Sequence, residues 1–204
     1  AIRAASEILH DDDEIPEELK KQFLQNIISE SDRLNRLIDK ILDLEKFETG
    51  KQTIYPTQNN LVTTIEKSIE PLQQLIKNKH IKVNAFYDED RIVQVVTNLL
   101  SNAIKFCPEI DGLITIQIKE NNNFIHTFVQ DNGKGIHPDD FEAIFDKFYQ
   151  STNQNIKKPV GSGLGLAICK QIMEYHKGKI WAEQTVKGAC IVFTLPKKIP
   201  TENL

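Results

Sequence analysis

Apolar residues recur at intervals of three, four and seven along residues 16–48, and this pattern predicts one long helix. Pro16, followed by Glu17 and Glu18, suits a helix N-terminus, and Gly50 suits the position just past the helix end. A seam that lasts about four heptads is typical of a helical hairpin or coiled coil, although a single long surface helix would show a similar pattern. The seam consists of Phe23, Ile27, Leu34, Leu37, Ile41 and Leu44.

A shorter helical pattern covers residues 2–9, and the polar stretch "HDDDEIP" connects it to the long helix. The two helices would form a partial helical hairpin or coiled-coil segment, which we expect to occupy residues 1–50 as a first domain.

The pattern changes at residue 51, where short apolar runs begin to alternate with helical stretches, so we expect a second domain over 51–204. Its order of elements predicts an α+β fold, a two-layer sandwich in which one mixed sheet carries helices on one face. Strands are predicted at 51–56, 81–86, 112–120, 124–131, 179–184 and 189–195. Helices are predicted at 60–79, 88–106 and 164–176, with short helices within 138–150 and a polar loop at 151–160.

Composition narrows the classes of partner. The net charge of −4 on 204 residues supplies no basic field for nucleic acid or for an anionic membrane. Three scattered cysteines do not form a disulfide framework or a zinc motif, and they suit a reducing compartment. No apolar run approaches the roughly 20 residues of a membrane span. The chain begins inside a helical pattern and without Met, so we expect a fragment of a longer protein.

The helical stretch "NLLSNAIKF" (98–106) carries two carboxamides and an ammonium on one face. Asn98, Asn102 and Lys105 are four and seven positions apart, which places them on the same side of a helix. A carboxamide oxygen is a hard ligand suited to Mg²⁺, and a lysine can meet phosphate oxygens. A solvated polar helix face would show the same pattern, so this stretch alone leaves both interpretations open.

Two further stretches follow strands or precede the polar loop. In "DNGKGI" (131–136), Gly133 and Gly135 allow the backbone to approach a ligand closely, and Asp131 can accept a hydrogen bond from an exocyclic amine. A simple turn between a strand and a helix is the alternative. In "FDKFYQ" (145–150), Phe145 and Phe148 are expected to pack in the core and anchor the beginning of the loop that follows.

Three glycines alternate in "VGSGLGLAIC" (160–169), directly before the predicted last helix. The P-loop pattern needs Lys and then Ser or Thr after its second glycine, and these are absent. The dinucleotide fingerprint needs a different glycine spacing after a strand. What remains is a glycine-rich loop that leads into a helix N-terminus, where backbone N–H groups and the helix dipole favour an anion.

The four stretches, in this order and spacing, resemble the N, G1, F and G2 boxes of the sensor histidine kinases of two-component signalling systems. This resemblance implies the Bergerat ATP-binding fold of the GHKL superfamily for residues 51–204. It also implies that residues 1–50 are part of the dimerisation and histidine-phosphotransfer hairpin.

The resemblance assigns roles to individual residues. Asn102 is implied to bind Mg²⁺ with Asn98 nearby, Lys105 to reach the phosphates and Asp131 to hold the adenine amino group, while residues 149–162 would form the lid over ATP. The catalytic residues implied are Asn98, Asn102 and Lys105. Those implied to contact ATP are Asn102, Lys105, Asp131, Gly133, Gly135, Ile136, Tyr149, Lys157, Lys158, Gly161, Gly163, Leu164, Gly165 and Leu166.

Asn98 distinguishes related activities, because ATPases of this fold carry a glutamate there that activates water. Asparagine cannot act as a general base, so the resemblance implies a protein histidine kinase that keeps the γ-phosphoryl group for a histidine nucleophile and for relay to a response-regulator receiver domain. It further implies a homodimer of the intact parent through the helical region. The fragment itself would be cytoplasmic, and the resemblance leaves open whether the intact parent is anchored in the inner membrane of a bacterium, as most relatives are.

Two departures from the family pattern matter. No "HELRTP"-like phosphoacceptor motif is present, and His10, in the polar connection, is not expected to replace it. Gln150 stands where many relatives carry an arginine that meets the γ-phosphate. This second departure keeps open an alternative, a nucleotide-binding and dimerisation module of weak or absent catalytic activity.

Overall fold

The computed structural model describes residues 2–11, 15–69, 84–151 and 161–198. The chain divides into two compact units, residues 1–45 and 46–204. The first unit contains α1 (Ile2–Asp11) and most of α2 (Glu17–Glu48), so both predicted N-terminal helices are confirmed. No helix within the described ranges is long and apolar enough to cross a membrane.

Several large apolar side chains of α2 are exposed to solvent, whereas Leu44 of the predicted seam is buried. Leu34 is 49 % exposed and Ile41 is 44 % exposed, although both belong to the predicted seam. The other exposed apolar residues of α2 are Leu19, Leu24, Ile28, Ile38 and Leu42.

The second unit begins with the last turn of α2 and continues into a small sheet. Strand β1 (Thr57–Asn60) pairs antiparallel with β2 (Asn84–Tyr87), and α3 (Leu61–Ile69) follows β1 directly. The predicted strand at 51–56 is wrong, because backbone donors of this stretch are used elsewhere. The N–H of Gln52 donates to the carbonyl of Lys46 at 3.0 Å, and the N–H of Tyr55 donates to the Asp88 carboxylate at 3.1 Å.

Helix α4 (Glu89–Phe106) confirms the helix predicted at 88–106. Asp88 caps its N-terminus by accepting a hydrogen bond from the backbone N–H of Arg91 at 3.2 Å. Its apolar face is buried and consists of Ile92, Val95, Val96, Leu99, Leu100 and Ala103. The remainder of the predicted helix 60–79 and the beginning of the predicted strand 81–86 fall on residues 70–83, outside the described residues.

The larger sheet has four strands in the order β3, β4, β6, β5, all antiparallel. The α+β class is therefore confirmed, but the single mixed sheet is corrected to two antiparallel sheets within the described residues. Short connections join β3 to β4 and β5 to β6. Two strands joined by a short connection pair in the antiparallel direction. The strands are β3 (Ile114–Glu120), β4 (Phe124–Asp131), β5 (Ile180–Glu183) and β6 (Cys190–Pro196).

Helix α5 (Gly165–Tyr175) packs against α4, β5 and β6, and α4 packs against β4. The core lies between these helices and one sheet face, where Ile125, Ile168, Ile172 and Phe193 are fully buried. Two short 3₁₀ turns, Pro138–Asp140 and Ala143–Phe145, connect β4 to the segment before α5. Phe145 is buried as predicted, but the predicted packing of Phe148 is wrong, because its side chain is 61 % exposed. The sandwich thus brings the end of β4, one face of α4 and the beginning of α5 into one region.

Candidate functional site

Asp131 ends β4 with its carboxylate buried and held in one orientation. Its Oδ1 accepts hydrogen bonds from the backbone N–H of Gly133 at 2.8 Å and of Ala189 at 3.2 Å. Its own N–H donates to the carbonyl of Ala189 at 2.9 Å. No donor among the described residues reaches Oδ2, so this oxygen is available to a ligand amine.

Gly133 allows the loop after Asp131 to lie directly against the end of α4. A side chain at this position would place its Cβ 2.2 Å from the carbonyl oxygen of Phe106, which no residue other than glycine avoids. Gly135 and Ile136 follow in the same loop. With Gly133 they line a cleft of about 310 Å³, whose other wall is residues 183–188 between β5 and β6.

Asn98 lies at the junction of α4 and α5. Its Nδ2 is 3.8 Å from the Sγ of Cys169, and its Oδ1 is 3.7 Å from the point that a Cβ of Gly165 would occupy. The predicted polar face of α4 is therefore directed partly at another helix rather than wholly at solvent. Asn102, one turn further along α4, is half-buried.

Lys105 lies one turn beyond Asn102 and approaches the glycine-rich loop. Its Nζ is 3.4 Å from the position of a Cβ on Gly161 and 4.7 Å from the centre of the Phe106 ring. Partial desolvation of the ammonium lowers the pKa of Lys105. The structure thus joins two of the predicted motifs, because Asn98 faces Gly165 and Lys105 faces Gly161.

The two chain segments that flank residues 152–160 lie side by side. The N–H of Phe148 donates to the carbonyl of Gly163 at 2.9 Å, and Nε2 of Gln150 donates to the carbonyl of Gly161 at 3.0 Å. Leu164 is fully buried and precedes the first turn of α5, in which Leu166 is half-buried. Lys157 and Lys158, which were predicted to contact phosphate, lie outside the described residues.

Asp140 is a buried carboxylate that the sequence analysis missed. It accepts hydrogen bonds from the hydroxyl of Tyr149 at 2.8 Å and from the hydroxyl of Ser151. The hydrogen bond to this carboxylate raises the pKa of Tyr149. The sequence contains no signal that separates Asp140 from its neighbour Asp139, because only the fold shows that one is buried and the other exposed.

A metal ion would need ligands beyond acidic and histidine side chains in this region. Within the ranges that the structure describes, no group of three or more His, Cys, Asp or Glu residues could hold one. The donors on the α4 face are instead two carboxamides, at Asn98 and Asn102, which suit a hard cation that keeps oxygen ligands from a phosphate or from water.

The site combines a buried carboxylate at the end of β4, the polar face of α4 and a glycine-rich loop before α5. Comparison with known proteins identifies the family that has this arrangement. Residues 87–199 match the family model described as histidine kinase-, DNA gyrase B- and HSP90-like ATPase, and residues 1–50 match the His Kinase A phospho-acceptor domain. The chain belongs to this ATPase family and, within it, to the sensor histidine kinases.

Individual relatives agree with this assignment. The sensor histidine kinase WalK of Bacillus subtilis is 32 % identical over 198 residues, a match that spans 91 % of this chain and 32 % of the relative. The sensor protein KdpD of Clostridium acetobutylicum is 33 % identical over 96 % of this chain and 23 % of its own length. The chain therefore spans a third or less of the length of these two relatives.

Solved structures share the architecture. The catalytic domain of histidine kinase ThkA superposes with a TM-score of 0.60 at 30 % identity, covering 70 % of this chain and 96 % of that one. The Acinetobacter baumannii histidine kinase AdeS superposes with a TM-score of 0.77 over 97 % of this chain and 94 % of its own. Its identity of 18 % makes it a likeness of fold only.

Proposed function

We propose that the chain is the core of a protein histidine kinase, which binds ATP with Mg²⁺ and transfers the γ-phosphoryl group to a histidine. The observation that carries this proposal is the pair of Asn98 and Gly165, in which a carboxamide, rather than a carboxylate, faces the first residue of α5. A carboxamide cannot take a proton from water at neutral pH, so this position stabilises bound ATP against hydrolysis. The phosphoryl group is then kept for a protein nucleophile.

The nucleotide is proposed to lie between the end of β4 and the start of α5. Asp131 Oδ2 accepts from the adenine amino group, while Gly133 and Gly135 let the backbone lie close to the base. Lys105 contacts the phosphates from α4, next to the glycines of the loop before α5. A helix N-terminus stabilises a nearby anion through its unpaired N–H groups and its dipole.

The remaining residues of the site are proposed to complete the nucleotide pocket. Ile136 and Leu166 supply apolar contacts around the nucleotide, and the fully buried Leu164 supports the glycine-rich loop from the core. Tyr149 joins the lid segment to Asp140. Lys157 and Lys158 are proposed as further phosphate contacts from the lid.

Asn102 is proposed as the protein ligand of Mg²⁺, with Asn98 in support. The donor set fits this ion, because a carboxamide oxygen is a hard ligand and phosphate oxygens complete the shell. An ion held by Asn102 would supply positive charge that offsets the negative charge developing on the phosphates during transfer. The protein residues position the phosphoryl group for in-line attack.

The helical region is proposed to form the dimer of the intact parent, because α2 presents a long exposed apolar face. We divide the chain into a dimerisation and phosphotransfer region at 1–50 and an ATP-binding domain at 51–204. Histidine kinase ThkA, 27 % identical, was crystallised in complex with its response regulator TrrA. By analogy, a receiver domain is the proposed acceptor from this kinase, and the reaction is proposed to be cytoplasmic, where ATP is supplied.

Phosphotransfer can be tested with γ-labelled ATP and Mg²⁺. The chain, extended by the upstream residues of its parent, should acquire label that is lost in acid and retained in base, as expected for phosphohistidine. Asp131→Asn should strongly reduce labelling at limiting ATP, and the exposed Asp139→Asn should retain it. Nucleotide binding without any label would overturn the kinase proposal, and steady release of phosphate would favour a hydrolase.

A second candidate function rests on Gln150. Its side chain donates to the carbonyl of Gly161, so it ties the two ends of the lid segment together. A neutral amide in this role supplies no positive charge to a γ-phosphate, which would leave a nucleotide-binding signalling module of weak activity. Gln150→Arg discriminates the two functions, because a large gain in labelling would support the weak module.

A further inference from the structure

The thiol of Cys169 lies between α5 and α4 and contacts both helices. Cys169 is fully buried, with its Sγ 3.8 Å from Nδ2 of Asn98 and 3.9 Å from the carbonyl oxygen of Val95. The amide nitrogen of Asn98 is a donor only, so the sulfur accepts from it, while the S–H donates to Val95. One side chain thus contacts a side-chain donor and a backbone acceptor on consecutive turns of α4.

This contact decides which end of the Asn98 carboxamide faces the site. With the NH₂ group directed at the sulfur, Oδ1 lies on the opposite side, 3.7 Å from the point that a Cβ of Gly165 would occupy. Only the oxygen can ligate a cation or accept from its hydration water, because the NH₂ group has no acceptor capacity. The reverse orientation would present two N–H donors to a cation.

We propose that Cys169 is a positioning residue, which fixes the orientation of the Asn98 carboxamide and thereby sets how strongly nucleotide binding depends on Mg²⁺. This inference rests on the proposed function. Cys169 touches neither the nucleotide nor the ion in this role, and it acts through Asn98 alone. Asn98 and Cys169 are 71 positions apart in the sequence, and the packing of α5 on α4 brings them into contact.

The test compares nucleotide affinity with and without the metal ion. The chain is titrated with a fluorescent, non-hydrolysable ATP analogue, once in excess Mg²⁺ and once in EDTA. Cys169→Ala should weaken binding about fivefold in Mg²⁺, the loss expected for one hydrogen bond, and should change binding in EDTA less than twofold, by about half that free energy or less. Cys169→Ser, which keeps a donor and an acceptor, should restore most of the Mg²⁺-dependent affinity.

Two controls separate positioning from packing. Cys190→Ala removes an equally small buried side chain from β6, opposite Gln130, and should leave the ratio of the two affinities unchanged. In an Asn98→Ala background, Cys169→Ala should have no further effect on that ratio, because the group that it positions is gone. Should Cys169→Ala fail to fold, Cys169→Val, which is somewhat larger than the native side chain and cannot form hydrogen bonds, serves in the same comparison.

Three outcomes would overturn the proposal. They are equal losses of affinity in Mg²⁺ and in EDTA, a failure of serine to restore binding, or an undiminished effect of Cys169→Ala in the Asn98→Ala background. Failure of the proposed function would be recognised separately, since the wild-type chain would then bind no nucleotide under either condition.

Discussion

His176 and Asp88 join the C-terminal end of α5 to the N-terminus of α4. The backbone N–H of Asp88 donates to Nε2 of His176 at 3.0 Å, and Nδ1 of His176 donates to the carbonyl of Ile172 at 2.8 Å. Both ring nitrogens are thus committed, one as acceptor and one as donor, which is possible only for the neutral imidazole. Asp88 also caps α4, so this contact holds in place the helix that carries Asn98 and Asn102.

The neutral state of His176 predicts a loss of stability in mild acid. Burial lowers the pKa of His176 below its usual value of 6.5, against smaller opposing effects of Ile172 and Asp88. The unfolded chain therefore binds a proton at a higher pH than the folded chain does. The stabilisation is complete above pH 6.5 and is lost as the pH falls through the lowered pKa of the folded state.

Urea unfolding between pH 7.5 and 5 measures this effect. The wild-type chain should lose free energy of unfolding over this range, and His176→Gln, which cannot take up a proton, should lose less. The exposed His137→Gln is the matched control and should show the wild-type pH dependence. Identical pH dependence in wild type and His176→Gln would contradict the assignment.

Gly163→Ala is expected to weaken both nucleotide binding and the fold around the lid base. Gly163 has φ of +68°, and a Cβ there would lie 2.6 Å from the carbonyl carbon of Phe148. Gly50 has a similar φ of +66° with no atom within 4 Å of its Cβ position, which makes it the matched control. Gly50→Ala should cost only the backbone strain, about 1–2 kcal/mol.

Thermal unfolding and ATP titration of both variants separate the two effects. Gly163→Ala should be less stable than Gly50→Ala, because the backbone of Phe148 must move as well. It should also bind ATP at least tenfold more weakly, whereas Gly50→Ala should bind as the wild type does. If the two variants have equal stability and equal ATP affinity, the contact with Phe148 does not cause the effect of Gly163→Ala.

Asp131→Asn should reduce ATP affinity while the loop keeps its conformation. The carboxamide oxygen can still accept from the N–H groups of Gly133 and Ala189, but its NH₂ group would oppose the adenine amino group. Loss of a hydrogen bond to a charged acceptor corresponds to about 1.5–3 kcal/mol in binding. Calorimetric titration with ATP and with GTP tests this, and unchanged ATP affinity would show that Asp131 does not contact the base.

The sequence predicts elements well where a single periodicity governs them. Helix α4 and strands β3 and β4 follow from their own apolar spacing, because one face is buried in α4 and β4 and half-buried in β3. The strand at 51–56 is wrong because pairing depends on a partner: the polar residues Thr57–Asn60 form β1 in register with β2. The position of β1 cannot be predicted from its own polar pattern, whereas the strand predicted at 81–86 overlaps β2.

The same limit applies to the candidate site. The motif spacing on α4 predicts that Asn98, Asn102 and Lys105 share a helix face. It does not predict that Asn98 turns toward Cys169, since that contact depends on how two helices cross. Asp140 is undetectable for a related reason, because its burial and its hydroxyl partners depend on the packing of two loops.

Phe47 lies in the last turn of α2 and belongs to the compact unit of residues 46–204, although it precedes the domain boundary proposed at residue 51. Its side chain is 2 % exposed, and its ring meets that of Tyr175 edge to face, with centroids 5.1 Å apart. The hydroxyl of Tyr175 donates to the carbonyl of Phe47 at 2.5 Å, and the guanidinium of Arg91 lies 5.4 Å from the Phe47 ring centre. The chain thus fastens the end of α2 to α5 and α4.

Phe47→Ala should therefore lower the stability of the unit that binds ATP as well as that of helix α2. Truncating a fully buried phenylalanine costs about 3–5 kcal/mol. The thermal transition that ATP shifts upward should move to a lower temperature in this variant. Tyr55→Ala removes a comparable aromatic side chain that is 73 % exposed. Its free energy of unfolding should stay within about 0.5 kcal/mol of the wild-type value. If both variants leave it unchanged, the ATP-binding unit begins after residue 50 rather than with the last turn of α2.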